Sequence, residues 1–512
     1  MQGIKQRTSK LFYQFSLEEH ISPDHPLRRI DQELDLRFLY KKTRAYYGLE
    51  GQQSIDPIVF FKICLVGYFN NIVSDRALIR FCNDSLSARW FIGYDIDQPL
   101  PVHSTLSRTR SLFGENIYEQ VFTIVLGLCV DAGLVDGDRQ VVDSALVKAN
   151  AHIDSMQRKK ILEDASEYCR QVNQENADEE PQDRPPSPPL EPVALPPNNK
   201  ETKGKTRLKN DTHQCSSDPD ARMAVKPNKP KDMYYHGQVC VDSQHGVVTA
   251  AMGDFGSRKD PQSFPELLAK ARENLNKFDR QIKELLADGG YTTGDNISLC
   301  EQAGITAYMP NPSNYTPVRP GFIYNEQEDR YECSQGEYLP YRSTDTSGNR
   351  KKRVYRTSAK QCKNCPIKPQ CITSKKINYK QLKHSDGKPW YDLMDERLST
   401  GYGRQMVGKR KAIVEPALGN LLHHNGMKKV YARGIQAANK HVMLASMSMN
   451  LKKWLKHSIK SPRVKAQRGI ITLWDRNMLD FEQIYSFMVS TLAELIQKLT
   501  SHSMKLPKCT MF

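Results

Sequence analysis

Residues 138–152 read DRQVVDSALVKANAH. Its apolar residues, with Val141 and Val142 before Asp143 and Val147 after it, predict a β-strand. Asp143 lies inside that strand, at a position where a half-buried sheet favours a β-branched or aromatic side chain over a carboxylate. A carboxylate placed there therefore needs a chemical reason.

Further strand and helix signals follow along the chain. The segment YYHGQVCVDSQHGVVTAAMGDF (234–255) predicts two strands around a turn at His245 and Gly246, followed by a helix near 263–279. The segment DRQIKELLADGGYTTGDNISLCEQAGITAYMP (279–310) predicts a strand, a loop, a helix and a strand. This alternation indicates an α/β core with some parallel pairing.

The regions around this core differ from it in composition. Apolar residues at three- and four-residue spacing before the core predict helices, and alternating aromatic residues after it predict a small β-rich domain. A Pro-rich, charged stretch at 172–215 is expected to be a flexible insertion, because it has too few apolar side chains to fold. The predicted domains are a helical DNA-binding domain (1–131), the first part of the core (132–310), the inserted β-rich domain (311–400), the C-terminal core helices (401–460) and a tail with an amphipathic helix of unknown role (461–512).

The charge balance indicates the class of partner. The chain of 512 residues has 74 Lys and Arg against 58 Asp and Glu, a net charge of +16, which favours a polyanion such as nucleic acid. The helical run 74–113 is expected to expose Arg80, Arg89, Arg108 and Arg110, which suits a DNA-binding module, although an ordinary solvated basic face explains them equally well. No apolar run approaches the roughly 20 residues that span a bilayer, so we expect a cytoplasmic protein with no membrane partner.

Two more carboxylates, those of Asp288 and Glu415, are candidate metal ligands. Asp288 ends an apolar segment and is followed by Gly289 and Gly290, which would let a substrate approach the backbone closely. Two such aspartates in one core can share Mg²⁺, whereas a single one is more simply explained as a cap for the next turn. Glu415 lies among cations on a helix that is expected to be partly buried, where it is either a metal ligand or the partner of Lys411 in an i, i+4 pair.

Five segments in this order carry a resemblance to a known family: VVDSALVKANA, SSDPDARMA, LLADGGYTTGDN, KAIVEPALGN and NLKKWLK. Together they resemble the DDE-type transposases of bacterial insertion sequences, in the branch with a four-cysteine insertion before the final Glu. The likeness extends from about residue 10 to residue 457.

The resemblance implies an RNase H-like core and a transposase activity. Asp143 would lie on the first core strand, Asp288 on the fourth and Glu415 on the helix after the insertion. The three carboxylates would hold two Mg²⁺ ions for cleavage and strand transfer at the terminal inverted repeats of double-stranded DNA. The protein would act as a homo-oligomer on DNA in the bacterial cytoplasm, associated with the nucleoid. A catalytically silent DNA-binding protein and an RNase H-like nuclease without strand transfer remain alternatives.

The chain departs from the wider superfamily around Glu415. Many relatives have a Tyr and an Arg before the Glu and a Lys after it, but here Gly408 and Lys411 precede it at those spacings and Leu422 follows. The candidates for DNA contact are therefore Lys411, Lys428, Lys429 and Arg433, together with Arg108 on the N-terminal helices.

Four of the 12 cysteines are clustered, and they are Cys333, Cys362, Cys365 and Cys371. Four thiolates are the donor set of a closed structural Zn²⁺ site, which would stabilise a domain too small to fold well without it. The alternative is four reduced thiols without metal. Cysteines this dilute over the whole chain do not indicate a disulfide scaffold.

Overall fold

A computed structural model describes residues 14–48, 50, 54–159, 209–225, 230–312, 315–316, 319–346, 351–374 and 377–460. The chain divides into two compact units, residues 1–452 and 453–512. Residues 172–208 of the expected insertion and the tail 461–512 lie outside the described residues.

The N-terminal region is helical, as the sequence predicts. Its helices are α1 Leu17–His20, α2 Pro26–Glu33, α3 Phe38–Thr43, α4 Pro57–Phe69, α5 Asp75–Asp84, α6 Leu86–Ile92, α7 His103–Leu112 and α8 Glu115–Asp131. In α4 nearly every residue from Phe60 to Tyr68 is buried. A helix that is apolar on all sides lies inside a bundle, so α4 forms its centre.

The α/β core follows, with two strands longer than the sequence suggests. Its elements are β1 Arg139–Lys148, β2 Met156–Arg158, α9 Lys209–Thr212, β3 His213–Cys215, β4 Arg222–Ala224, β5 Asp232–Asp242, β6 Val248–Phe255, α10 Asp260–Asn276, β7 Glu284–Leu286, α11 Gly294–Gln302 and β8 Thr306–Tyr308. The end of the range expected to be a flexible insertion instead contains α9 and β3, and β3 pairs with β2 and buries Cys215.

The central sheet is mixed. Its strand order is β4-β5-β1-β7-β8. β4 pairs with the first residues of β5, and β6 pairs with the residues of β5 that follow them. β5 runs antiparallel to β1 and β6, whereas β7 runs parallel to β1 and to β8. The parallel half places the end of β7 beside the middle of β1, because Leu286 pairs with Val141 and β1 continues to Lys148.

A second sheet forms the β-rich region. It is an antiparallel meander in the order β13-β12-β11-β10-β9, built from β9 Phe322–Asn325, β10 Arg330–Cys333, β11 Tyr338–Asp345, β12 Lys352–Arg356 and β13 Gln381–Ser385, with α12 Lys368–Cys371 between the last two. Its small core consists of Tyr331, Leu339, Tyr355 and Leu382. Alternating aromatic residues thus do pack on one face of a sheet here.

Three helices complete the described chain: α13 Lys388–Ser399, α14 Gly401–His424 and α15 Ile435–Lys460. The last two match the predicted helices, and α14 continues through Pro416 without interruption. α13 was not predicted, since it falls in the range assigned to the β-rich domain. Among the described helices, none combines the length and the apolar character needed to cross a membrane.

Candidate active site

Asp143, in the middle of β1, lies beside Asp288, which follows the end of β7. The parallel register pairs Val141 of β1 with Leu286 of β7. Two residues further along each chain are Asp143 and Asp288, and neighbouring strands are only about 4.8 Å apart. The two carboxylates that the sequence predicted to share a site are therefore neighbours.

The carboxylate of Asp143 is partly buried and already has a cationic partner. Its Oδ1 accepts a hydrogen bond from the Ser144 N–H at 2.8 Å, and its Oδ2 accepts one from Arg410 Nη1 at 3.0 Å. Burial raises the pKa of Asp143, and the nearby charge of Asp288 raises it further, while the Ser144 N–H and Arg410 oppose the shift. The charge of Asp288 thus contributes to the raised pKa of Asp143, and Arg410 opposes that rise.

The loop after β7 holds Asp288 through its glycines. The Gly290 N–H donates to Asp288 Oδ1 at 2.9 Å. A Cβ atom at position 290 would lie 2.8 Å from the same oxygen, so a larger residue there would displace the carboxylate. Glycine at position 290 thus leaves room for the carboxylate of Asp288.

Glu415 lies on α14, the helix that carries Arg410, but its side chain is exposed. It is five residues after Arg410, or about 7.5 Å further along the helix axis. The chain after α14 then returns to the sheet, where Lys428 O accepts from the Lys148 N–H at 3.1 Å. Glu415 is therefore on the part of α14 between these two contacts with β1. Among the described residues, no ion pair joins Glu415 to Lys411.

The donor chemistry of this pair fits a hard divalent cation, because Asp143 and Asp288 offer carboxylate oxygens. Within the described ranges, however, no group of three or more His, Cys, Asp or Glu side chains is arranged to hold a metal ion. The structure thus brings two of the three predicted ligands together and leaves Glu415 outside the pair.

The basic residues predicted to contact DNA are mostly on the surface. Lys411, Lys428, Arg433 and Arg108 are exposed, and Lys429 is partly covered, with its Nζ 4.8 Å from the centre of the Tyr431 ring. Surface exposure leaves these side chains available to a polyanion.

Two arginines of the helical run were wrongly expected to be exposed. Arg89 is 8% exposed, and its guanidinium donates to the backbone carbonyls of Asn83, Asp95 and Gln98. Arg110 forms a largely buried ion pair with Asp75 at 2.7 Å. Both arginines stabilise the fold, because buried polar groups need partners that water no longer supplies.

The four clustered cysteines line one cavity of about 600 Å³ in the β-rich region. All four are partly buried and free of disulfides. Burial raises the pKa of Cys371, and the thiols of Cys362, Cys365 and Cys333 add to this rise while Lys380 opposes it. The thiols are thus near neighbours, although they are not arranged as a ready metal-binding group.

The segment SSDPDARMA proves to be structural. Asp218 is fully buried and accepts hydrogen bonds from the Tyr235 hydroxyl at 2.8 Å and from the Gly434 N–H at 3.1 Å. Asp220 accepts from the Ile435 N–H at 3.0 Å. The two carboxylates therefore accept hydrogen bonds from backbone N–H groups at the start of α15.

Sequence reasoning missed two residues near the candidate site. Arg410 stood out only as one of several cations near Glu415, although its four-residue spacing from Met406 and Val414 places it on the buried stripe of α14. Asp260, the first residue of α10, accepts from Ser144 Oγ at 2.7 Å. No sequence signal connects Asp260 to β1.

Comparisons with known proteins identify two transposase domains. Residues 15–112 match the family described as Transposase domain (DUF772), and residues 332–455, which include Glu415 and the four cysteines, match the family described as Transposase DDE domain. No curated protein matches the chain. A cryo-EM structure of the piggyBac transposase synaptic complex with hairpin DNA is similar over 87% of this chain and 82% of its own, with 10% identity and a TM-score of 0.24. A TM-score this low does not establish a common fold.

Proposed function

We propose, from the premise that this chain is a DDE transposase of the insertion-sequence type, that it cuts and joins DNA at the ends of a bacterial mobile element in the cytoplasm. The observation that carries the proposal is the pairing of Asp143 with Asp288, which the parallel register of β1 and β7 makes neighbours. Asp288 follows the carboxyl end of β7, beside the middle of β1, and the carboxyl ends of strands in α/β sheets are where ligands bind.

Asp143 and Asp288 are the residues that would hold Mg²⁺, with Glu415 as the third carboxylate. When bound, Mg²⁺ stabilises the charge that develops on the phosphate oxygens during cleavage. Glu415 is supported by its place on α14, after Arg410, which contacts Asp143 of β1, and before the segment that follows α14 and pairs with Lys148. Arg410 would release Asp143 once another cation neutralises the pair.

Exposed cations near these aspartates would bind the DNA backbone. Lys411 lies four residues before Glu415 on α14, and Lys428, Lys429 and Arg433 follow that helix. Each exposed Lys or Arg that contacts a phosphate would add to the salt dependence of binding. Arg108, exposed on α7, would extend the contact to the N-terminal helices. Assembly of two or more copies on the paired ends is part of the proposal.

The four cysteines are proposed to bind a structural Zn²⁺ after their side chains converge. The support is that all four line one cavity and that three of them raise the pKa of the fourth. The small aromatic core of this sheet also gives a reason for extra stabilisation.

A cleavage assay tests the function. Purified protein is incubated with Mg²⁺ and linear DNA that carries the terminal repeats of the element, and nicks at the repeat boundary and joined products are measured. Asp143→Asn, Asp288→Asn and Glu415→Gln should each abolish cleavage while DNA binding stays largely intact, because each change removes charge and keeps the side-chain size. Asp295→Asn, an exposed aspartate in the first turn of α11, is the matched control.

The results separate the alternatives. A wild-type protein that binds the repeats without cutting them would indicate a silent DNA-binding protein, and cleavage without joined products would indicate a nuclease. If Glu415→Gln loses only a few-fold of activity, Glu415 is not a ligand.

A further inference from the structure

A hydrogen-bond network lies behind the two aspartates, on the other face of the sheet. Side chains alternate along a strand, so Ser144 faces away from Asp143. Its hydroxyl donates to Asp260 Oδ1 at 2.7 Å, and Asp260 is the first residue of α10, which covers that face. The residue next to Asp143 is thereby attached to a helix that carries none of the predicted catalytic residues.

The same oxygen of Asp260 has a second donor that leads to the Asp288 loop. Gln238, which pairs with Ser144 across β5 and β1, donates through Nε2 to Asp260 Oδ1 at 3.0 Å. Its Oε1 accepts from the Tyr291 hydroxyl at 2.6 Å. Tyr291 is fully buried, and its N–H donates to the Asp288 carbonyl oxygen at 3.1 Å.

Asp260 also approaches the Asp288 loop directly. A Cβ atom at position 290 would lie 3.6 Å from Asp260 Oδ2 and 2.8 Å from Asp288 Oδ1. Gly290 thus separates two carboxylates that come from different elements. His236 contributes a further polar neighbour, with its Nε2 3.5 Å from Asp260 Oδ1.

We propose that Asp260 is a positioning residue for the DNA-cleaving site, because its carboxylate joins Ser144, next to Asp143, to Gln238 and through it to the Asp288 loop. Its role is to accept hydrogen bonds, so it needs the oxygen that both donors share and does not need to bind metal. The inference rests on the proposed function. A displacement of about 1 Å between catalytic groups can cost about 100-fold in rate, so fixing the spacing of Asp143 and Asp288 has a large effect.

Two substitutions of Asp260 distinguish positioning from metal binding. Asp260→Ala removes the acceptor and should lower kcat for cleavage about 10- to 100-fold while KM for DNA stays constant. Asp260→Asn keeps an amide oxygen for both donors and should retain activity within about threefold of wild type, since it lacks only the charge. Ser144→Ala removes one of the two hydrogen bonds and should shift kcat in the same direction as Asp260→Ala. Asp295→Ala on α11 controls for loss of an aspartate in a first helical turn.

Hydrogen exchange gives a readout that does not depend on activity. Amide exchange at 287–293 should speed up in Asp260→Ala but not in Asp260→Asn or Asp295→Ala, with the rest of the core unchanged.

If the wild-type protein does not cleave DNA, the proposed function fails, while the exchange data still decide the positioning role. Unchanged exchange at 287–293 in Asp260→Ala overturns the inference whatever the cleavage result. An Asp260→Asn protein as inactive as Asp260→Ala also overturns the inference, because the negative charge of Asp260, and not its hydrogen-bond acceptor, would then be required for activity. Should Asp260→Ala fail to fold, Ser144→Ala decides by the same exchange measurement.

Discussion

Replacement of Arg410 by Gln should destabilise the protein without metal and much less with Mg²⁺. Arg410 Nη1 lies 3.0 Å from Asp143 Oδ2, and the two side chains are 11% and 17% exposed. At an effective dielectric constant of about 20, two unit charges at this distance attract by about 5.5 kcal/mol. The cost of burying both charges offsets much of that attraction.

The net effect of Arg410→Gln on stability depends on the interactions that Asp143 keeps. Without Arg410, Asp143 keeps its partly buried charge beside Asp288, and the Ser144 N–H is its one remaining hydrogen-bond donor among the described residues. Removing one member of a buried pair costs about 3–5 kcal/mol, and partial exposure of this pair reduces the expected loss to about 1–3 kcal/mol. Mg²⁺ bound by the aspartates would supply the missing positive charge, so the loss should shrink when the metal is added.

Chemical denaturation measures the free energy of unfolding of wild type and Arg410→Gln, once in EDTA and once in Mg²⁺. Lys409→Gln is the matched control, since it removes one charge from an exposed neighbouring position on α14. It should change the free energy of unfolding by less than about 0.5 kcal/mol in either condition. If Arg410→Gln and Lys409→Gln behave alike, Arg410 does not neutralise Asp143. If the loss in Arg410→Gln is the same with and without Mg²⁺, the metal does not bind at Asp143.

Three further predictions concern other parts of the fold. Burial lowers the pKa of His441 to about 4 from an ordinary value of 6.5, so its contribution to stability is present above pH 6.5 and is lost as the pH falls towards 4. The free energy of unfolding lost over this range is about 3 kcal/mol. In thermal melts, the melting temperature of His441→Gln should therefore fall less steeply with decreasing pH than that of wild type. Asp218→Ala leaves the Tyr235 hydroxyl and the Gly434 N–H without their acceptor and should cost about 2–5 kcal/mol in urea unfolding, whereas a loss below about 1 kcal/mol would contradict its capping role. Elemental analysis should find about one zinc per chain, and Cys365→Ser should lose it and become protease-sensitive within 311–400; metal-free wild-type protein that resists protease there would refute the zinc site.

Elements that depend on local periodicity were predicted well from the sequence. The hairpin at 234–255 forms as β5 and β6, and Gly246, in the predicted turn, has a positive φ of 69°. The helix expected near 263–279 is α10, which begins three residues earlier at Asp260. Alternation and helical spacing determine which side chains of one segment can be buried together, so these patterns can be recognised in the sequence alone.

The unpredicted helix α13 shows where this local information ends. Residues 388–399 follow a run of aromatic strands, and the sequence reading continued the β-rich domain to residue 400. In the structure α13 buries Tyr391 and Met394 against the core, where Met394 Sδ accepts from the Met309 N–H at 3.3 Å. Packing against a distant segment, and not composition, separates this helix from the strands before it.

The sequence by itself determined the carboxylates, the strand that carries Asp143 and the helix that carries Glu415. Only the tertiary structure decided which groups meet: the parallel register brings Asp288 beside Asp143, the buried face of α14 brings Arg410, and the start of α10 brings Asp260 to Ser144. A residue's own segment specifies the face of the element on which it lies. Its partners are set by register and by the packing of helices on the sheet, and both arise from contacts between segments far apart in the chain, which no local pattern records.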